Sequence, residues 1–205
     1  MRIARMEPAD AARLVPVHLK AFAGYLNVRL GPSYVLRFLQ WFCSEPSAIA
    51  LVATSGALPV GYVVGAPADY GRRMSMALAP AVAAAVAMRP WLLVSRRFRN
   101  ALVGRIRAVG KRLPAASVGG SESSPARVSL VGVGVAPEVR RSGVGSGLMR
   151  EFEKEAARRG FDGIRLTVYA ANGGARRFYE RHGWVASANG AGETVEYTKV
   201  LKQPL

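Results

Sequence analysis

The sequence predicts an α/β (α+β) domain, a sheet with helices packed on it. Three observations lead there. The second half runs as strand, glycine-rich turn, helix, strand, helix, strand. Two β-rich runs in the first half lie on either side of a Ser-Gly turn. Half of the 205 residues are apolar, which excludes wholesale disorder and suffices for one good-sized core. Residues 1–205 read as a single domain, and residues 69–126 as a basic helical insertion with a Ser/Gly/Pro linker.

The elements follow in order. Residues 2–6 form a short strand, and Asp10 is placed to cap a helix carrying Ala11, Leu14, Val15, His18, Leu19 and Phe22 at helical spacing. Gly24 and Gly31-Pro32 punctuate the chain before Ser33 caps a second helix through Val35, Leu36, Leu39 and Phe42. The runs AIALVAT (48–54) and VGYVVGA (60–66) make a hairpin across Ser55-Gly56. Met74 to Met88 is uncharged and alanine-rich but contains Pro80, and Arg89-Pro90 follows. It falls short of the roughly 20 apolar residues of a membrane span and reads as one or two helices. SVGGSESSPA (117–126) is a flexible linker. In RVSLVGVGVAP, strand alternation puts Val131, Val133 and Val135 on one face and Gly132 and Gly134 on the other, where a partner backbone can approach. Val144 to Arg159 is an amphipathic helix with Gly160 after it, 163–170 a strand, Asn172 to His182 a short helix stopped by Gly183, and 194–201 a last strand after Asn189-Gly190.

Charge and cysteine content bound the surroundings. One cysteine, Cys43, makes no intramolecular disulfide, and the first residues lack the apolar run of a secretory signal, so a cytoplasmic chain is expected. Lys and Arg number 29 against 13 Asp and Glu, a net +16 that attracts phosphates, nucleic acid or anionic membrane. Residues 70–112 hold ten of the basic residues and no acid. That segment, 72–112, reads as a solvated basic face or as a peripheral contact with an anionic membrane. No nucleic-acid motif accompanies it.

Residues 140–146, Arg-Arg-Ser-Gly-Val-Gly-Ser, open a helix. A helix N-terminus offers unpaired N–H groups and partial positive charge, glycines let an anion approach, and Arg140 and Arg141 add mobile charge, so a phosphate-bearing ligand suits the turn. A nucleotide P-loop requires a Gly-Lys-Ser/Thr that is missing. A dinucleotide fold requires an acid at the end of the next strand, and GIRLTVYAAN has none.

Arg140-Arg141-Ser142-Gly143-Val144-Gly145 resembles the Gln/Arg-x-x-Gly-x-Gly/Ala signature of the GNAT superfamily of acyl-CoA-dependent N-acetyltransferases. Downstream, Asn172, Ala175, Phe178, Tyr179, Glu180, Arg181, Gly183 and Trp184 resemble the family's N-x-x-A-x-x-F-Y-E-x-x-G-F, with Trp for the usual Phe. The resemblance implies a mixed, splayed central sheet, with the helical insertion between its third and fourth strands and acetyl-CoA as cosubstrate in a V-shaped gap between its fourth and fifth. It assigns pantetheine pairing to the backbone of Val133, Gly134 and Val135, and pyrophosphate to the N–H groups from Arg141 through Ser142, Gly143, Val144 and Gly145 to Ser146. Asn172 takes the position of a cofactor contact and Tyr179 that of the general acid toward sulfur.

Thioester aminolysis also requires a neutral amine. Many family members carry a glutamate early in the fourth strand, where this chain has Ser129, which could hold a relaying water. His18, Glu196 and Asp69 are the other candidate bases, and Tyr25, Asn27 and Arg29, with Glu196, the candidate acceptor contacts. His182 reads as helix-end electrostatics. No metal is expected, and the oligomeric state is open. The implied reaction is acetyl transfer to a primary amine, with a nucleotide-linked amino sugar as the small-molecule acceptor that suits the charge. Peptide or protein amines, or a non-catalytic acyl-CoA-binding or membrane-docking module, are the alternatives.

Overall fold

The computed structural model describes residues 1–96, 98–100, 103, 126–187 and 192–201. Strand β1 (Arg2–Arg5) leads into helix α1 (Pro8–Ala21), the short α2 (Leu26–Arg29) and α3 (Pro32–Ser44). The hairpin β2 (Ile49–Ser55) and β3 (Leu58–Pro67) is followed by α4 (Tyr70–Met88) and a 3-10 turn (Pro90–Val94). Strand β4 (Arg127–Val135), a 3-10 turn (Pro137–Val139), α5 (Val144–Arg158), β5 (Gly163–Tyr169), α6 (Gly173–Arg181), β6 (Val185–Ala186) and β7 (Thr194–Val200) complete it. The strands form one sheet in the order β1-β2-β3-β4-β5-β7-β6, antiparallel throughout except for the parallel pair β4–β5.

The sheet separates two cores. Helices α1, α3 and α4 cover one face, with Leu14, Val35, Leu39 and Phe42 packed on Ala50, Val52, Tyr62 and Val64. Helices α5 and α6 cover the other, where Leu148, Phe152 and Tyr179 meet Val63, Leu130, Ile164 and Tyr197. Strand alternation sorts β2 and β3 between them: Val52 and Val64 face α1 and α3, while Ala53 and Val63 face α5.

Several sequence expectations are corrected. Glu7, not Asp10, is the N-cap of α1; Asp10 lies inside the first turn and accepts the Glu7 N–H at 3.0 Å, the back-bonding half of a capping box. Gly31, with φ 91°, is the N-cap of α3 and Pro32 its first residue, so Ser33 caps nothing. Pro80 does not divide α4, and the chain leaves α4 only at Arg89-Pro90. The uniform alternation along β4 is broken by a bulge against β3: Leu130 pairs with Gly65 and Gly132 with Val64. The bulged Val131 therefore turns to the α1 side, while Val133 and Val135 face α5. The Asn189-Gly190 turn, linker residues 117–125 and basic residues 104–112 lie outside the described residues.

Candidate active site

Two breaks in regular pairing create the site. Strand β4 pairs with β5 only over Arg127–Ser129 against Gly163–Arg165. Beyond that point β5 stays with β7 as far as Tyr169, so the β4 edge from Leu130 to Val135 has no strand partner on that side among the described residues. The bulge at Val131 bends β4 at the point of parting. Gly65 makes the bulge possible: a Cβ there would meet the Phe152 ring at 2.4 Å and the Ser129 carbonyl at 2.6 Å. The open edge carries amides and carbonyls that an extended ligand with its own amides can pair.

Past the end of β4, Arg141 adopts φ 65° and Gly143 φ 85°. A non-glycine residue in the left-handed region costs on the order of 1 kcal/mol, and Ser142 braces the turn by donating its hydroxyl to the Val139 carbonyl at 2.7 Å. The first helical bond of α5 runs from Gly147 N–H to the Gly143 carbonyl. The amides of Val144, Gly145 and Ser146 precede it and have no helical acceptor. No side chain caps this end. Left-handed residues followed by a helix start make an anion-binding concavity, with the exposed Arg140 and Arg141 beside it. Gly145 packs against Phe178 and Val135, and a Cβ there would stand 3.6 Å and 3.7 Å from them, ordinary contact. The geometry fits a pyrophosphate followed by a pantetheine-like arm.

Helix α6 starts differently. Asn172 accepts the Ala175 N–H through Oδ1 at 3.1 Å and donates through Nδ2 to the Tyr25 hydroxyl at 3.1 Å. The Tyr25 ring lies 5.2 Å from Tyr169 at the end of β5 and 5.4 Å from Phe22. Phe22 in turn would be 3.8 Å from a Cβ on Gly132. The loop between α1 and α3 thus reaches from β4 to β5 and touches both sides of the split.

His18 lies beneath this loop, 1% exposed. Asn27 accepts the Val28 N–H through Oδ1, so its amide donates to His18 Nε2 at 3.0 Å, leaving Nδ1 to donate to the Tyr62 hydroxyl at 2.5 Å. Burial lowers the His18 pKa to about 4, so the ring is neutral at physiological pH, with both nitrogens engaged. Tyr62 is wholly buried, and its ring lies over Gly134, where a Cβ would come within 2.6 Å.

Tyr179 is buried between Phe178, Trp184 and Tyr197. Burial, and then the Tyr25 phenol, push its pKa upward, so the hydroxyl holds its proton. No group hydrogen-bonds that hydroxyl among the described residues. Ser129 sits where β4 and β5 part, its Oγ accepting from Arg165 Nε at 3.0 Å. Glu196 pairs across from Thr167, and both are exposed on the sheet face opposite Tyr197, the face that Tyr25 and Tyr169 border. Arg29 is exposed at the end of α2. Asp69 is elsewhere: it follows β3 near the Arg127 end of β4 and is 3.3 Å from Arg73. His182 bonds the Phe178 carbonyl through Nδ1 at 2.8 Å and Ser146 Oγ through Nε2 at 3.0 Å, tying α6 to the first turn of α5.

Sequence reasoning missed Tyr62, Tyr169 and Phe22 as neighbours of the site. Tyr62 left a trace, as the one side chain with a polar group in VGYVVGA; the other two read as ordinary core or strand aromatics.

The Acetyltransferase (GNAT) family model matches residues 19–184. A comparison with curated proteins gives no match. Among solved structures, the chain is similar to the PaiA N-acetyltransferase of Thermoplasma acidophilum in complex with coenzyme A, at 13% identity and TM-score 0.61, covering 97% of this chain and 98% of that one. It is also similar to Ard1 of Thermoplasma volcanium (17%, TM-score 0.59, 98% and 97%) and to the ribosomal-protein-alanine N-acetyltransferase of Brucella melitensis (17%, TM-score 0.60, 98% and 100%). Identities this low establish the fold, and the family match over most of the chain establishes the rest: the chain belongs to the GNAT acetyltransferase family and is an enzyme of acetyl-CoA-dependent acetyl transfer.

Proposed function

We propose that this enzyme acetylates a primary amine of a small molecule, with a nucleotide-linked amino sugar as the acceptor class. The observation that carries the reading is the split beyond Ser129 and Arg165, which leaves one open strand edge running toward an uncapped helix N-terminus, with a proton-bearing phenol on the adjacent α6. Val133, Gly134 and Val135 offer backbone pairing to pantetheine. The amides from Arg141 to Ser146, with the Arg140 and Arg141 side chains, hold the pyrophosphate. Asn172 keeps α6 and Tyr25 in place beside it.

Tyr179 donates its proton to the sulfur as the C–S bond breaks and the new amide forms. The amine gives up one proton for the one Tyr179 delivers. Ser129, with Arg165 donating to its oxygen, keeps its own proton to offer and orients a water that receives the amine proton. His18 is a positioning residue: neutral and bonded on both nitrogens, it fixes Asn27 and Tyr62. Tyr25, Asn27, Arg29 and Glu196 border the acceptor, and Arg29 supplies charge for acceptor phosphates.

Release of free CoA measured over nucleotide-diphosphate amino sugars, polyamines and a peptide with a free N-terminus tests this reading. Turnover should be fastest on the sugar, and Tyr179→Phe should lower kcat roughly 30-fold with acetyl-CoA KM unchanged. Turnover confined to the peptide would replace the acceptor class. An unaltered kcat in Tyr179→Phe would remove the acid assignment.

A further inference from the structure

We propose that the outer face of α4 and of the 3-10 turn after it docks this enzyme on an anionic membrane surface. The inner face of α4 is accounted for: Leu78 and Ala85 are buried and Met74, Val82 and Val86 pack on the core beside α3. A helix on a solvated surface turns charged and polar residues outward. Here the 13 residues from Met76 to Met88 include no charged or polar side chain, yet Met76, Ala83, Ala84, Ala87 and Met88 are exposed.

Exposed apolar residues continue along the chain past the break at Arg89-Pro90. Leu92 and Phe98 are buried and pin the segment, while Trp91 stands 64% exposed, Val94 78% and Leu93 40%. Arg99 Nη1 donates to the carbonyls of Leu93 and Val94 at 2.7 and 3.1 Å. The polar backbone at the apolar tip is thus satisfied from within the chain, which is what transfer into a poorly hydrating layer requires. Arg72 before the strip and Arg96 beyond it are exposed, and residues 70–100 contain no acid. Among the described residues no helix is long and apolar enough to cross a membrane, so the segment lies along the surface.

The chemistry selects the occupant. A tryptophan and aliphatic side chains between arginines match the headgroup–acyl boundary of an anionic bilayer, where the indole partitions and the guanidinium groups meet lipid phosphates. A two-fold contact with a second copy would set arginines against arginines in a chain already carrying +16. A nucleic acid would meet about 20 Å of helix without a cation.

Trp91 is also the reporter. The chain has three tryptophans, and Trp41 and Trp184 are buried. The full-length chain is mixed with phosphatidylcholine vesicles and with vesicles containing roughly one-third phosphatidylglycerol. It should co-sediment with the anionic vesicles only, and brominated acyl chains should quench its fluorescence. Trp91→Ser with Val94→Ser leaves the charge untouched and should weaken binding at least tenfold, with CoA release and melting temperature unchanged. Arg72→Gln with Arg96→Gln should weaken it about fivefold or more and reduce its salt dependence. The proposal is overturned if the chain stays in the supernatant, if Trp91 is not quenched, or if the apolar pair of substitutions leaves binding intact. It is equally overturned if those substitutions instead abolish self-association or binding to an RNA oligonucleotide.

Discussion

Two helices begin beside the β4–β5 split, and they begin in opposite ways. At α5 the N-cap is Gly143 and no side chain reaches the first amides; at α6 Asn172 occupies one of them and ties the end to Tyr25. Capping by Asn typically stabilises a helix by about 1 kcal/mol, so α5 forgoes stability that α6 has. What α5 keeps is unpaired N–H groups facing outward, and these can bind an anion only because nothing internal has taken them. One pole is left open to an anion; the other anchors the Tyr25 loop.

Substitutions should separate the two poles. The largest effect expected is at the tied pole, in acid. His18 titrates near pH 4 folded against about 6.5 unfolded, so the unfolded chain binds the proton first; its contribution to stability is complete above pH 6.5 and drains away as pH falls toward 4. The loss should reach up to about 3 kcal/mol. Melting temperature followed from pH 7 to 4 should fall in the wild type and flatten across that window in His18→Gln; parallel curves would mean that another group controls acid unfolding.

At the open pole, Gly143→Ala forces a side chain into φ 85° with no neighbour to clash, so the damage is to turn conformation alone. Acetyl-CoA KM should rise about tenfold, with about 1 kcal/mol lost in stability. Equal rises in acetyl-CoA and acceptor KM would show that the turn does more than hold the cosubstrate. Asn172→Ala should cost about 1 kcal/mol in chemical denaturation and raise acceptor KM a few-fold by releasing Tyr25, leaving kcat at saturation nearly intact. The smallest effect is expected from Gly145→Ala. Its Cβ fits at ordinary contact distance and alanine favours the helix, so acetyl-CoA KM should stay within about threefold of the wild type.

The sequence by itself settled what depends on local chemistry. The glycines and arginines of 140–145, and the Asn172 to Trp184 spacing, carry the family resemblance and the open helix start because a helix start, a left-handed glycine and a side-chain cap involve residues a few positions apart. The seven main strands but one, and the long helices, were legible from periodicity; two-residue β6 and four-residue α2 were too short to show any. Only the tertiary structure decided the rest. The bulge at Val131 arises from pairing with β3, where Leu130 meets Gly65 and Gly132 meets Val64, and it undoes an alternation that the strand's own residues support. His18 reads as a titratable helix residue until burial lowers its pKa and Tyr62 and Asn27 engage both ring nitrogens. Local signals hold where neighbours in sequence are neighbours in space; protonation and strand parting are set by residues that only folding brings together.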